Sequence, residues 1–119
     1  MLTIDGIDFD CSDPALVGAF WAAALGRELK TDAEGDAYLE AHGGEPEILF
    51  LAVPEGKTVK NRLHFDLRPD DQDAEVERLL GLGATHADIG QTGEESWVVL
   101  ADPEGNEFCV LRSRSAAPG

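Results

Sequence analysis

The chain has 119 residues, 43% of them hydrophobic and 28% charged, which supplies one packed domain and leaves no room for a second independent core. Its 24 Asp and Glu stand against nine Lys and Arg, a formal net charge of -15, and such a surface repels phosphate backbones and anionic lipid, so neither nucleic acid nor a membrane is an expected partner. No apolar run approaches the roughly 20 residues of a membrane span, residues 1–5 lack the basic start and apolar stretch of a signal peptide, and Cys11 and Cys109 make neither a disulfide framework nor a zinc cluster; the expectation is a soluble cytoplasmic protein.

Residues 2–10 alternate, with Ile7 and Phe9 on one side and Gly6, Asp8 and Asp10 on the other, which predicts a strand with one dry face. Ser12-Asp13-Pro14 opens a helix: Asp13 suits the cap, and Pro14 suits a first position whose N–H has no helical partner. Leu16, Phe20 and Ala24 recur at intervals of four and predict its buried stripe, and Gly26 ends it. Short strands are expected over 27–31, 37–41 and 47–53, separated by the turns Asp32-Ala33-Glu34-Gly35 and Gly43-Gly44-Glu45-Pro46. Residues 62–67 alternate again, with Arg62, His64 and Asp66 on one face and Leu63, Phe65 and Leu67 on the other. Asp70 or Asp71 caps a second helix reaching about Leu82, with Val76, Leu79 and Leu80 as its apolar stripe and acids in its first turn, where the helix dipole favours them. Strands over 84–88, 96–101 and 107–112 follow, the last two joined by Asp102-Pro103-Glu104-Gly105-Asn106. Residues 113–119 are small and polar and are expected to fray.

The two halves overlay. Asp8-Phe9-Asp10 matches His64-Phe65-Asp66 at a shift of 64 - 8 = 56, and Leu25-Gly26 matches Leu82-Gly83 at a shift of 82 - 25 = 57. Each half reads strand, helix, three strands. The predicted fold is α+β: two βαβββ modules forming a curved eight-stranded mixed sheet with helices outside, in one domain over 1–119. Module one spans 1–56, module two 57–112, and the frayed tail 113–119. The open faces of the two modules would together make a trough.

Several stretches carry a family resemblance: Asp13 followed by Phe20-Trp21-Ala22-Ala23-Ala24-Leu25-Gly26, His64 opening module two, Leu82-Gly83-Ala84, and the D-P-x-G-N turn Asp102-Pro103-Glu104-Gly105-Asn106. Over nearly the whole chain they resemble the vicinal oxygen chelate superfamily, which includes glyoxalase I, bleomycin-resistance proteins and extradiol dioxygenases, and within it the small glyoxalase-like proteins. Metal-dependent members place one ligand, usually His or Glu, on each of four strands. By this resemblance the third position falls on His64 and the fourth, three residues after Asn106, on Cys109. The first falls near Gly6 counting back from the helix, or on Asp8 by the internal repeat. The second lies within 48–51, which offers no ligand side chain. The resemblance therefore implies an incomplete metal centre: no cofactor is expected, and a divalent metal held through His64 is disfavoured.

His64 and Asp8 are the candidate catalytic residues. A neutral imidazole binds metal or shuttles a proton near pH 7, or it is a polar residue on an open face with no such task. Asp8, Asp10 and Asp66 share that face by parity; a carboxylate beside an imidazole orients its proton, or simply stays solvated. Candidate ligand-binding residues are Asp66, Arg62, Trp97, Cys109 and Glu107. Arg62 suits a ligand carboxylate, or pairs with a surface acid. Trp97 offers a flat wall, or a core or dimer contact. Cys109 and Glu107 face the trough by alternation with Phe108 and Val110, and acidic surroundings make Cys109 a small lining residue rather than a reactive thiolate. Trp21 is read as helix packing or as a contact with the other module.

Two functional classes follow from the resemblance. One is a glyoxalase-like protein that binds a small molecule in the trough, with or without turnover; as an enzyme it would be a divergent lyase or isomerase lacking the full metal site. The other is a bleomycin-resistance-type protein that sequesters a drug, for which an acidic chain suits a cationic ligand. The resemblance also implies a homodimer.

Overall fold

The computed structural model describes residues 1–114 and divides into two compact units, the first Met1–Lys57, the second from Thr58 onward. In chain order the elements are β1 (Gly6–Cys11), α1 (Pro14–Leu25), β2 (Lys30–Thr31), β3 (Ala37–Leu39), β4 (Glu47–Ala52), β5 (Asp66–Leu67), α2 (Gln72–Gly81), β6 (Thr85–His86), β7 (Val98–Ala101) and β8 (Glu107–Val110). The eight strands form two mixed four-stranded sheets of identical plan, β1-β4-β3-β2 and β5-β8-β7-β6. In each, the first strand runs parallel to the last, and the other pairs are antiparallel. This is the repeat that the sequence predicts. No helix among the described residues is long and apolar enough to cross a membrane.

In the first unit β1 alternates as expected, with Ile7 and Phe9 less exposed than Gly6, Asp8 and Asp10. It begins at Gly6 rather than Leu2. Its parallel partner opens at Glu47, opposite Gly6, directly after Pro46, which has no N–H to extend the ladder. Leu2 and Ile4 are left unpaired and exposed. Asp13 caps α1 by accepting from the Leu16 amide at 3.2 Å, and Gly26 ends it in the left-handed conformation at φ 66°.

The buried face of α1 is Val17, Gly18, Phe20, Trp21 and Ala22, not the Leu16-Phe20-Ala24 stripe; Leu16 is half exposed. The helix PALVGAFWAAAL holds no charged residue, so spacing alone fits several faces. Gly18 chooses among them. A Cβ there would lie 2.9 Å from Leu29 Cδ1, 3.3 Å from Phe50 Cδ2 and 3.4 Å from the Ala37 Cβ, so the bare backbone lets α1 sit close on β3 and β4. Trp21 is a core residue of its own unit, edge-on to Phe20 at 5.1 Å and 6.1 Å from Phe9, which in turn meets Phe50 at 5.5 Å.

In the second unit α2 is capped by Asp71, whose Oδ1 accepts from Ala74 N at 3.1 Å. It buries Leu79, with Val76 and Leu80 partly covered, and packs on β8. The strand expected over 62–67 is reduced to Asp66–Leu67. Main-chain bonds from Cys109 N to Phe65 O (2.9 Å) and from Leu111 N to Leu67 O (2.8 Å) flank it. Farther back, Asn61 donates from its side chain to Glu107 O at 3.2 Å and from its amide to Glu107 Oε2 at 3.0 Å. That engagement of the start of β8 replaces ladder pairing.

The D-P-E-G-N turn is built on a buried carboxylate. Asp102 Oδ1 accepts from the amides of Glu104 and Asn106, each at 3.0 Å, and both carboxylate oxygens accept from Asn106 Nδ2 at 3.0 Å. The turn over 32–36 repeats the pattern: Asp32 Oδ1 accepts from Glu34 N at 3.0 Å and Asp36 N at 2.9 Å. The repeat does not place them equivalently. Asp32 closes the second-to-third strand hairpin of its unit and Asp102 the third-to-fourth. Of the expected frayed tail, Ser113 and Arg114 are held, Ser113 Oγ by the Gln72 amide at 2.7 Å and Arg114 N by Pro69 O at 2.9 Å; residues 115–119 lie outside the described residues.

Candidate functional site

The parallel pairing of β5 with β8 sets Asp66 directly opposite Cys109. His64, two residues before Asp66, brings Nε2 to 3.3 Å from Asp66 Oδ1. One donor atom from each of His64, Asp66 and Cys109 lies within 4.8 Å of the others. The imidazole and carboxylate are open to solvent, with side chains 39% and 56% exposed, while Cys109 is 6% exposed. Burial pushes the Cys109 thiol up from its ordinary pKa, the nearby Asp66 charge and a side-chain hydrogen bond to Asp66 push the same way, and Lys60 opposes them. The Cys109 thiol therefore keeps its proton at neutral pH, and Asp66 is placed to meet a positive charge on His64. A thiol held protonated is a poor nucleophile.

The remaining candidates are placed as follows. Arg62 lies in a bend outside the shortened β5, where strand alternation does not fix its direction; it is exposed, with no hydrogen bond or ion pair among the described residues. Glu107 is turned toward Asn61, which occupies both its carboxylate and its carbonyl. Trp97 is 43% exposed and forms a wall of a groove of about 480 Å³, with His86, Asp88, Glu95 and Val99 among its other walls. Val99 pairs across the sheet with Cys109. In the first unit Asp8 is exposed on β1 opposite Leu49, and Asp10 opposite Leu51. The residues of β4 beside these carboxylates are thus leucines, and no ligand side chain meets Asp8 there.

Sequence reasoning missed the 87–95 loop that shapes the groove, which is ordered by its own polar side chains. Asp88 Oδ1 accepts from Gly90 N at 2.9 Å, and Gln91 bridges Ala87 O and Ile89 N, each at 2.8 Å. Glu95 accepts from the amides of Thr92 at 2.7 Å and Gly93 at 2.9 Å. These amides, that of Thr92 foremost, hold the Glu95 carboxyl below the usual range, so it stays charged into mild acid. The signal was present in the Asp88, Gln91, Thr92 and Glu95 spacing, which suits side-chain-to-backbone turns.

Two βαβββ units of this plan make a glyoxalase-type scaffold. The model of the glyoxalase-like domain family matches residues 6–111, and the chain belongs to that family. No curated protein matches significantly. Similar solved structures include TnmS3, an antibiotic binding protein from Streptomyces sp. CB03234, at 18% identity and TM-score 0.65, covering 96% of this chain and 98% of that one. A glyoxalase/bleomycin resistance protein/dioxygenase family enzyme from Burkholderia phytofirmans PsJN shares 20% identity at TM-score 0.68, with coverage of 89% and 94%. The oxidase ChaP-H2 shares 17% identity at TM-score 0.66, covering 99% and 98%. At such identities the likeness is one of fold.

The metal centre of the metal-dependent superfamily members does not fit the donors present. Of the four positions that the resemblance carries over, one holds an imidazole, one a thiol in place of the usual His or Glu, one Gly6 or Asp8, and the run 48–51 supplies none.

Proposed function

We propose that this protein binds a small organic molecule against the open side of its second module, using the His64–Asp66 pair without the full metal site of the metal-dependent superfamily members. The observation that carries the reading is the 3.3 Å approach of the His64 imidazole to the Asp66 carboxylate, both solvent-accessible, beside a thiol that burial keeps neutral. An imidazole next to a carboxylate accepts a proton readily and shelters the resulting charge, so the pair suits a ligand that presents an acidic hydroxyl or C–H. If turnover occurs, it is proton transfer of the lyase or isomerase kind, with His64 as the base and Asp66 as its electrostatic partner. The test is a thermal-shift screen with α-oxoaldehyde–thiol adducts and cationic glycopeptide antibiotics, alongside metal analysis of protein purified without chelator. A ligand raises the melting temperature by mass action, and His64→Ala should abolish the shift. Stoichiometric divalent metal that disappears in His64→Ala would refute this reading.

A second reading, drug sequestration, is favoured by the Trp97 groove. Its walls carry the carboxylates of Asp88 and Glu95 and no Lys or Arg. A planar cation would stack on the indole and meet both charges. Under this reading Trp97→Ala, rather than His64→Ala, removes the thermal shift given by a cationic aromatic drug.

A further inference from the structure

Three of the nine Lys and Arg side chains of this acidic chain meet at one place. Arg68 leaves β5 and Arg112 leaves β8 side by side, because the parallel pairing runs on to the Leu111 N to Leu67 O bond at 2.8 Å. Arg68, Arg112, Ser113 and Arg114 line a cleft of about 230 Å³. Two of the guanidiniums are braced on main chain: Arg68 Nη1 donates to Arg112 O at 2.8 Å and Arg114 Nη2 to Arg68 O at 3.3 Å. Ser113 Oγ accepts from Gln72 N at 2.7 Å, which leaves its own proton to donate. The Arg112 guanidinium makes no hydrogen bond or ion pair among the described residues, so its fork of donors is uncommitted there. The adjoining start of α2 carries the acids Asp70, Asp71 and Asp73. Asp70, 93% exposed, pairs with Arg114 Nε at 3.1 Å, and Asp71 is turned to the Ala74 amide. The lining itself thus carries three guanidiniums and no carboxylate, one of them met by Asp70, and acids beyond roughly 8 Å are screened at physiological salt.

We propose that this cleft binds a phosphate group, with Arg112 and the Ser113 hydroxyl as direct donors and the braced Arg68 and Arg114 as fixed positive walls. Donors converging from separate side chains suit a tetrahedral dianion better than a planar carboxylate, which a single guanidinium fork satisfies. Bracing two arginines beforehand lowers the entropy cost of gathering them around an anion. The net charge of -15 on the whole chain opposes a long polyanion, so the occupant is small: free phosphate, or the terminal phosphate of a small metabolite. This inference is independent of the His64 site.

The test titrates the full chain by calorimetry and by NMR of the arginine side chains, at matched ionic strength, with inorganic phosphate, glycerol phosphate, acetate and chloride. Saturable binding of a phosphate probe that moves the Arg112 resonances is expected, with at least a tenfold loss of affinity in Arg112→Ala and no loss in Arg78→Ala, whose arginine pairs with Glu75 on α2. The tighter of the two phosphate probes identifies the source. Equal response to acetate and phosphate, absence of saturation, or equal weakening by Arg112→Ala and Arg78→Ala would overturn the proposal.

Discussion

Asp32 and Asp102 show how burial changes what one carboxylate is worth. Each accepts two main-chain amides in the same pentapeptide turn, but Asp102 is 2% exposed and also takes both carboxylate bonds from Asn106, whereas Asp32 is partly open to water. Removing a buried acceptor leaves its donors unsatisfied, while solvent replaces an exposed one. Asp102→Ala is therefore expected to destabilise the fold by about 3 kcal/mol and Asp32→Ala by about 1 kcal/mol, measured by denaturant unfolding. Cys109 gives a pH dependence with a definite sign. Its folded-state pKa is raised, first by burial and then by the Asp66 charge. Above about pH 8.5, the ordinary cysteine value, the unfolded thiol loses its proton while the folded one keeps it. The stability this supplies is intact below that pH and falls as pH rises toward the folded value. Alkaline unfolding should show the decline in the wild type and lose part of it in Cys109→Ala; alkylation of Cys109 in native protein should set in at higher pH than that of a free thiol, and at lower pH again in Asp66→Asn.

At the scale of elements, the sequence patterns worked where they contained contrast. β1 and the caps of both helices were legible because apolar and polar residues alternate in Ile7-Asp8-Phe9-Asp10, and because Asp13-Pro14 and Asp71 are chemically suited to helix starts. The buried face of α1 was not, since every residue from Pro14 to Leu25 is apolar or small, and the deciding fact is Gly18's closeness to Phe50 and Ala37 on strands 19 or more residues away. Gly18→Val should destabilise by about 2 kcal/mol or more, because the added carbons meet the fully buried Phe50 as well as the end of Leu29; thermal unfolding would show it. The reduction of β5 was hidden for a similar reason. Residues 62–67 alternate well, but Asn61 engages Glu107 in the folded chain, and nothing local announces that contact. Of the candidate site, the meeting of His64, Asp66 and Cys109 could be approached from the repeat and strand parity. The ordering of the 87–95 loop depends on individual side-chain bonds rather than on period, and was not read.

For the whole molecule, a net charge of -15 has to be weighed against the strand edges and apolar side chains that favour self-association. β1 and β2 are the outer strands of one sheet, β5 and β6 of the other, and outer strands invite pairing unless blunted. Among the described residues, five of the nine large exposed apolar side chains precede the parallel outer strands: Met1, Leu2 and Ile4 ahead of β1, Val59 and Leu63 ahead of β5. Burial of such side chains against a second copy contributes about 25 cal/mol for each Å² removed from water, and a closed twofold dimer would cover them without leading to fibres. The charge of -15 per chain opposes association, but screening confines that repulsion to roughly 8 Å at physiological salt. The two terms respond differently to salt: added salt weakens the repulsion and leaves the apolar contact in place. A dimer is therefore expected whose dissociation constant falls as salt rises, the reverse of an assembly held by ion pairs. Light scattering over a range of concentration and salt measures this directly, and replacing Leu2 and Ile4 by Ser should shift the equilibrium toward the 12.7 kDa monomer. A monomer under every condition, or a dimer that salt dissociates, would show that these apolar segments are not the contact.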